Sequence, residues 1–114
     1  MTSATGCLPS IRFLGPDCSV EGMEVRELEL TSEGLRLAPF RSSIFTIEPG
    51  CTSPVDSHHV HEIWIMMQGA GELLYEGSSY QANMGDAFYF QSLKTHAIRN
   101  TGHERITIVS LWWS

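Results

Sequence analysis

The sequence predicts a single all-β domain, and two observations support this fold class. Short runs of alternating apolar and polar residues recur along the 114-residue chain, separated by turn sequences rich in Gly, Asn, Asp and Ser. Beyond residue 20, no stretch of ten or more residues repeats its apolar positions with the 3.6-residue period of a helix. Many short strands in a chain of this length are typical of a β-sandwich or a β-barrel.

The elements follow one another as an irregular arm and a series of short strands. Residues 1–20 are rich in Ser, Thr, Gly and Pro, and we expect this N-terminal arm to lie over the barrel domain of residues 21–114 or over a partner subunit. Turn signals such as Pro49-Gly50 and Gly85-Asp86 separate the strands. The predicted strands cover residues 23–30, 41–47, 62–68, 71–75, 80–82, 87–90, 96–100 and 105–113.

Composition and charge limit the classes of function. Apolar residues make up 42% of the chain and charged residues 18%, and the formal net charge is −6. An acidic chain without clustered Lys and Arg is not expected to bind nucleic acid or an anionic membrane. Residues 1–15 lack the pattern of a signal peptide, and the three cysteines show no CxxC spacing. We therefore expect a soluble, cytoplasmic protein with free thiols.

The residues that can carry chemistry concentrate in residues 56–62, Asp-Ser-His-His-Val-His-Glu. Asp56 and His58 point the same way if the backbone between them is extended, because side chains alternate along a strand. Glu62 then opens one strand and His96 opens another, so two adjacent strands can direct all four side chains at one interior point. Imidazole together with carboxylate suits divalent iron, manganese, nickel, copper or zinc better than calcium.

The same segment allows a second ligand set. If the strand slips by one residue or bulges, His59 and His61 become the pair that points inward, and with His96 they form a three-histidine site. In the first register, His59 and His61 point toward the barrel mouth, where they could act as acid or base. Both arrangements stay open at this stage.

The first group of ligands lies within a recognisable spacing. Gly50, five residues, Asp56-Ser57-His58, three residues, Glu62, six residues and Gly69 follow one another in this order. This pattern resembles the first motif of the cupin superfamily, with Asp56 in the position where the first histidine of the family is usual.

A second motif surrounds His96. Gly85, five residues, Gln91-Ser92-Leu93, two residues, His96, three residues and Asn100 resemble the second cupin motif. Gly, His and Asn keep their spacing, whereas Gln91 and Leu93 replace the usual Pro and inner Gly. Gly85 and Asn100 are expected to have structural roles in turns.

The resemblance implies a fold and a range of functions. It implies a small stand-alone cupin: a single-domain jelly-roll β-barrel, often dimeric, with one divalent transition metal inside, held here by Asp56, His58, Glu62 and His96. Iron is the first choice, with zinc, manganese, nickel or copper as alternatives. It also implies an oxidoreductase of the dioxygenase kind, acting on small thiols, diketones or aromatic rings. A redox-neutral isomerase, cyclase, lyase or bond-forming enzyme and a non-catalytic small-molecule binding module are the alternatives.

The substrate pocket and the oligomeric state are predicted from strand alternation. Trp64, Tyr89 and Gln91 are the predicted substrate contacts in a small, mainly apolar pocket. On the strand of residues 41–47, either Ser43, Phe45 and Ile47 or Ser42, Ile44 and Thr46 face the interior. Trp112 and Trp113 face opposite ways, so one should be buried and the other exposed in a subunit contact. A homodimer is therefore expected.

Overall fold

The protein, described here by a computed structural model, consists of β-strands joined by turns and loops. The structure describes residues 9–114, and no helix in that range is long and apolar enough to cross a membrane. The strands are β1 (Met23–Glu27), β2 (Thr31–Ser32), β3 (Leu35–Arg36), β4 (Arg41–Ile47), β5 (His61–Gln68), β6 (Gly71–Tyr75), β7 (Ser78–Ala82), β8 (Ala87–Phe90), β9 (His96–Arg99) and β10 (Ile106–Trp113).

The strands form two main antiparallel sheets. Five strands pair in the order β1-β4-β10-β5-β8, and three pair in the order β7-β6-β9. The loop before β5 lengthens the smaller sheet, because Thr52 and Asp56 form bridges with Arg99 and His96 of β9. β2 and β3 make a separate two-stranded hairpin. The predicted all-β fold class is confirmed.

The hydrophobic core lies between the two sheets, and side-chain alternation explains its membership. Ile106, Ile108 and Ser110 are buried in β10, whereas the residues between them are partly exposed. The larger sheet contributes most of the core and the smaller sheet adds Leu73, Ala82 and Ile98. The open question about β4 is resolved, because Phe45 and Ile47 belong to the core and Ser43 shares their face.

Most of the predicted strands are present with small shifts at their ends. β1 ends at Glu27, three residues before the predicted end, and β7 starts at Ser78, two residues before its predicted start. Gly69, the residue after β5, has a φ of 83°. A Cβ at this position would lie 2.8 Å from the carbonyl oxygen of Arg105, so only glycine fits this turn.

The described part of the N-terminal arm lies against its own chain. The backbone of Asp17 exchanges hydrogen bonds with Val25, and Phe13 forms a bridge with Leu28. Residues 12–17 therefore run beside residues 25–29, which include the end of β1. Residues 1–8 of the arm lie outside the described residues, and the division into an arm of 1–20 and a domain of 21–114 stays a prediction. Cys18 and Cys51 are free thiols, while Cys7 falls outside the described residues.

Candidate metal centre

Three structural elements meet at the predicted metal site. Glu62 is the second residue of β5 and lies on the inner face of the larger sheet. His96 is the first residue of β9 in the smaller sheet, and its backbone pairs with that of Asp56. His58 lies in the loop between Asp56 and β5. The site therefore sits between the two sheets, closed on one side by this loop.

Three of the four spacing-matched residues come together as a cluster. Each of His58, Glu62 and His96 offers a ligand atom that lies within 4.8 Å of the other two. Among the described residues, this is the group whose geometry suits a metal ion. The side chain of His96 is 3% exposed and that of Glu62 12%, whereas His58 is 47% exposed. Two ligands are thus fixed in the interior, and His58 completes the set from the open side.

The imidazole of His96 is held in a form that suits metal binding. Its Nδ1 lies 3.0 Å from the carbonyl oxygen of Lys94 and donates its proton there. This bond directs Nε2 at Glu62 Oε1, 2.9 Å away, and a metal-binding histidine coordinates through such a second ring nitrogen once its proton is lost. The ring stacks on Phe90 at a centroid distance of 4.3 Å and meets the edge of Trp64 at 5.2 Å. Packing therefore fixes the direction in which Nε2 points.

The carboxylate of Glu62 is oriented by three partners. Oε2 accepts hydrogen bonds from Trp64 Nε1 at 2.9 Å and from Ser110 Oγ at 2.5 Å. Oε1 lies 2.9 Å from His96 Nε2. Because Oε2 is occupied by neutral donors, Oε1 is the oxygen directed at the cluster. The donor set therefore fits a divalent transition metal held by two imidazoles and one carboxylate.

The protonation states of Glu62 and His96 also favour the binding of a cation between them. Burial raises the pKa of Glu62, but hydrogen bonds with His96, Ser110 and Trp64 outweigh it and hold the pKa below its ordinary value. Burial likewise opposes the charged form of His96, but its hydrogen bonds to Glu62 and to the Lys94 carbonyl raise its pKa above the ordinary value. The site thus stabilises positive charge beside the carboxylate, and a metal ion would replace the proton held there.

Asp56 lies beside the cluster and does not belong to it. Its Oδ2 is 3.7 Å from His58 Nε2, so the carboxylate faces this histidine. The strand-like pairing of Asp56 with His96 uses backbone atoms. The structure therefore places Asp56 where it can orient His58, and its role as a fourth ligand stays a prediction.

The alternative three-histidine set is not assembled. Glu62 faces inward, so strand alternation turns His61 to the outer face of the sheet. There Nδ1 of His61 lies 2.7 Å from the hydroxyl of Tyr89, and its ring packs beside those of Tyr89 and Trp113, with centroid distances of 5.9 and 5.8 Å. The prediction that His61 lines the barrel mouth is therefore corrected. His59 lines the cavity described next, and its role as acid or base at the mouth stays a prediction.

A cavity of about 490 Å³ opens from the cluster into the interior, a volume that suits a small organic ligand. Its apolar side is formed by Met23, Val25, Phe45, Val60, Trp64 and Trp112. Its polar side is formed by Ser43, Ser53, Asp56, His58, His59, Glu62 and Ser110. Apolar surface dominates, so the cavity combines the candidate ligands His58 and Glu62 with a mainly hydrophobic wall.

Two of the three predicted substrate contacts lie outside the cavity. Trp64 lines the cavity, but Tyr89 pairs with Ile63 on the outer face and is 51% exposed. Gln91 is exposed in the loop after β8 and is not part of the cavity wall. The predictions for Tyr89 and Gln91 are therefore corrected. Because Phe88, Tyr89 and Phe90 are all aromatic, the pattern of β8 did not indicate which of them faces inward.

Sequence reasoning missed Ser110 and Trp112, and a signal for both was present. Both residues continue the inward series that begins with Ile106 and Ile108 in β10. A small polar residue at an inward position of an otherwise apolar strand indicates a hydrogen-bonding role. Trp112 and Trp113 face opposite ways as predicted, but both are partly exposed, so the expectation that one is buried is wrong.

The family model described as Cupin domain matches residues 43–113, which include both motifs and all the cluster residues. This chain belongs to the cupin family. The matched range starts in β4 and ends at the last residue of β10, so it includes most of β4 and all of β10, β5 and β8, and leaves out β1.

Solved structures share the cupin fold across almost the whole chain. The plu4264 protein of Photorhabdus luminescens superposes with a TM-score of 0.77 at 19% identity, covering 96% of this chain and 89% of that one. A Cupin 2 conserved barrel domain protein of Salinispora arenicola gives 0.73 at 27% identity, with 98% and 91% covered. An oxalate oxidase gives 0.72 at 23% identity, with 86% and 54% covered. These likenesses establish the barrel.

One departure from the usual cupin motif has a visible structural consequence. Leu93, in the position of the inner Gly, has a φ of 68°, in the left-handed region that glycine adopts most readily. Its N–H donates to the carbonyl oxygen of His58 at 2.6 Å, and its own carbonyl oxygen accepts from Ser57 Oγ at 3.0 Å. The turn therefore holds the backbone of His58 beside the cluster even though glycine is absent.

Proposed function

We propose that this cupin is a metal-dependent oxidoreductase of the dioxygenase kind, acting on a small organic substrate bound inside the barrel. The observation that carries the proposal is the convergence of His58, Glu62 and His96 at the end of a mainly apolar cavity. Two histidines and one carboxylate leave open coordination positions and are a ligand set of oxygen-activating iron enzymes. Iron is therefore the metal that we propose first.

The residues of this chain divide the work between metal and substrate. A bound metal would supply Lewis acidity and, if it is iron, the redox chemistry. His96 and Glu62 hold it from the buried side, each fixed by partners of its own. His58 binds from the side of the mouth, where Asp56 faces it. Trp64 and Phe45 form an apolar wall that keeps water away from the reacting part of the substrate.

A redox-neutral metal enzyme is the second candidate, and one observation favours it. His59 and His58 both line the mouth of the cavity, so a histidine that is not a ligand is available for proton transfer to the substrate. An isomerase, cyclase or lyase needs such a group beside a Lewis-acidic metal. The third candidate, a non-catalytic binding module, uses the same cavity without turnover.

One experiment separates the three candidates. The protein is reconstituted with iron(II) or with zinc and incubated with a panel of small diketones, phenols and thiols, while dioxygen consumption and product formation are recorded. An oxidoreductase consumes dioxygen only with iron, and a redox-neutral enzyme forms product with zinc and without dioxygen. The His96→Ala variant is the control and should lose turnover in either case. Ligand binding without turnover in either metal form would favour the binding module and contradict the proposal.

We also propose that the protein acts as a cytoplasmic homodimer. The free thiols of Cys18 and Cys51 suit a reducing compartment. The outer face of the larger sheet supports the dimer, because Ile44, Val109 and Ile65 form one apolar row across neighbouring strands. An antiparallel sheet with one face on the core usually has a polar outer face. A second copy is the occupant that fits an apolar row of this kind, since the same patch can pair with itself.

A further inference from the structure

Four serines are buried in the larger sheet and in the loop before β5, and they differ in whether the side-chain hydroxyl has a hydrogen-bond partner. Ser42 Oγ donates to the carbonyl oxygen of Ser110 at 2.8 Å, and Ser110 Oγ donates to Glu62. Ser53 Oγ accepts the N–H of Ile98 at 2.9 Å. Ser43 is only 6% exposed, yet within residues 9–114 its hydroxyl has no hydrogen-bond partner. A buried hydroxyl without a partner is unfavourable, so its presence requires an explanation.

The position of Ser43 indicates what its partner is. Ser43 lies on the inner face of β4 and lines the cavity, whereas Ser42 points to the other face. In the sheet, Ser43 pairs with Ser110 of β10, and Ser110 pairs with Trp64 of β5. Ser43 is thus two strands away from β5, which carries Glu62, and roughly 10 Å separates the axes of β4 and β5. A ligand that fills the cavity from the metal centre would reach this hydroxyl with its far end.

The surroundings of Ser43 limit the chemistry of that ligand. Val25 and Phe45 form the cavity wall near it, and Glu27, its partner across β1, is ion-paired with Arg41 and does not line the cavity. The far end of the ligand therefore needs one neutral group that can exchange a hydrogen bond, and the rest of it should be apolar. A serine hydroxyl both donates and accepts, so a hydroxyl or a carbonyl satisfies it.

We propose that Ser43 is a specificity-determining residue that binds the distal oxygen of the substrate. The substrate class is then a small, largely apolar molecule, about the length of one para-substituted ring, with an oxygen function at each end. One end reaches the metal held by His58, Glu62 and His96, and the other reaches Ser43. This inference rests on the proposed function, because the metal centre defines the first end.

The first test compares alanine substitutions of two adjacent serines, which lie on opposite faces of β4. Ser43→Ala removes a hydroxyl without a partner, so the melting temperature of the metal-free protein should stay the same or rise. Ser42→Ala removes a hydrogen bond and should lower the melting temperature by about 4–8 °C. An equal loss in both variants would show that Ser43 has a structural partner and would overturn the inference.

The second test measures binding of two probes that differ in one group. The zinc-loaded protein is titrated calorimetrically with 4-hydroxybenzohydroxamate and with 4-methylbenzohydroxamate, whose chelating ends are identical. The wild type and Ser42→Ala should bind the hydroxyl probe about fivefold to tenfold more tightly than the methyl probe. Ser43→Ala should bind both probes equally.

The outcomes separate this inference from the proposed function. Equal binding of the two probes by the wild type, an unchanged preference in Ser43→Ala, or binding of neither probe by a protein that holds zinc would overturn the role of Ser43. A protein that holds no metal would overturn the proposed function, and the melting comparison would still decide whether the hydroxyl of Ser43 lacks a structural partner.

Discussion

The two faces of the five-stranded sheet are built from alternate residues of the same strands, yet they differ in the burial and the hydrogen-bond partners of their side chains. On the inner face, the polar groups of Glu62 and Ser110 have partners, and Phe90 is 2% exposed. On the outer face, its neighbour Tyr89 is 51% exposed beside the partly exposed Ile63. One face therefore carries the core and the candidate metal centre, and the other carries apolar residues that are partly exposed to solvent.

The largest expected effect is on the free energy of unfolding, when two neighbouring residues of β8 are each replaced by alanine. Phe90→Ala removes a buried ring that stacks on His96 and should lower the free energy of unfolding by about 3–5 kcal/mol. Tyr89→Ala removes an exposed ring and should cost about 1 kcal/mol or less in the monomer. Urea denaturation checks both values. Similar losses in the two variants would show that the faces do not differ in burial as described.

The outer face is tested by its effect on assembly. Val109→Asp places a charge in the middle of the apolar row and should convert a dimer to a monomer, because an unpaired charge is costly in a buried interface. Met84→Asp is the matched control, since Met84 is 70% exposed in the turn before β8 and away from this face. Light scattering coupled to gel filtration gives the mass of each. A monomeric wild type would refute the proposed dimer.

A smaller effect is expected at the hydrogen bond that orients Glu62. Ser110→Ala leaves Glu62 Oε2 with one donor fewer and should weaken metal binding by about tenfold to a hundredfold. Thr107→Ala changes a partly exposed residue of the outer face on the same strand and should leave metal affinity unchanged. Competition with a metal chelator measures both affinities. Unchanged affinity in Ser110→Ala would mean that this hydroxyl does not support the ligand.

The smallest effect concerns a turn that belongs to neither face. The N–H and hydroxyl of Thr95 donate to Glu76 and hold the pKa of Glu76 below its ordinary value. The stability that this contact contributes is therefore present above the ordinary pKa of a glutamate and is lost as the pH falls through the lowered value. Glu76→Gln should thus lose less stability than the wild type on acidification, measured by urea midpoints from pH 7 to pH 3. Parallel curves for the two proteins would contradict this.

The sequence predicted the strands, the barrel and the positions of Glu62 and His96, because motif spacing and strand alternation both depend on local geometry. It did not predict that the carboxylate of Asp56 turns to His58, since loop side chains follow contacts between distant segments. The sequence also did not indicate which residues of β8 face inward, because this four-residue strand has three aromatic residues and no polar residue that would indicate its outer side. Buried serines such as Ser43 and Ser110 became meaningful only when their partners were known.

The central claim is that His58, Glu62 and His96 hold one divalent metal ion. Elemental analysis of tag-free protein, beside the His58→Ala/His96→Ala double variant, tests it most directly, and circular dichroism confirms that the variant is folded. The account predicts close to one metal ion per chain in the wild type and almost none in the variant. Absence of metal from the wild type after reconstitution, or equal metal content in both proteins, would contradict it.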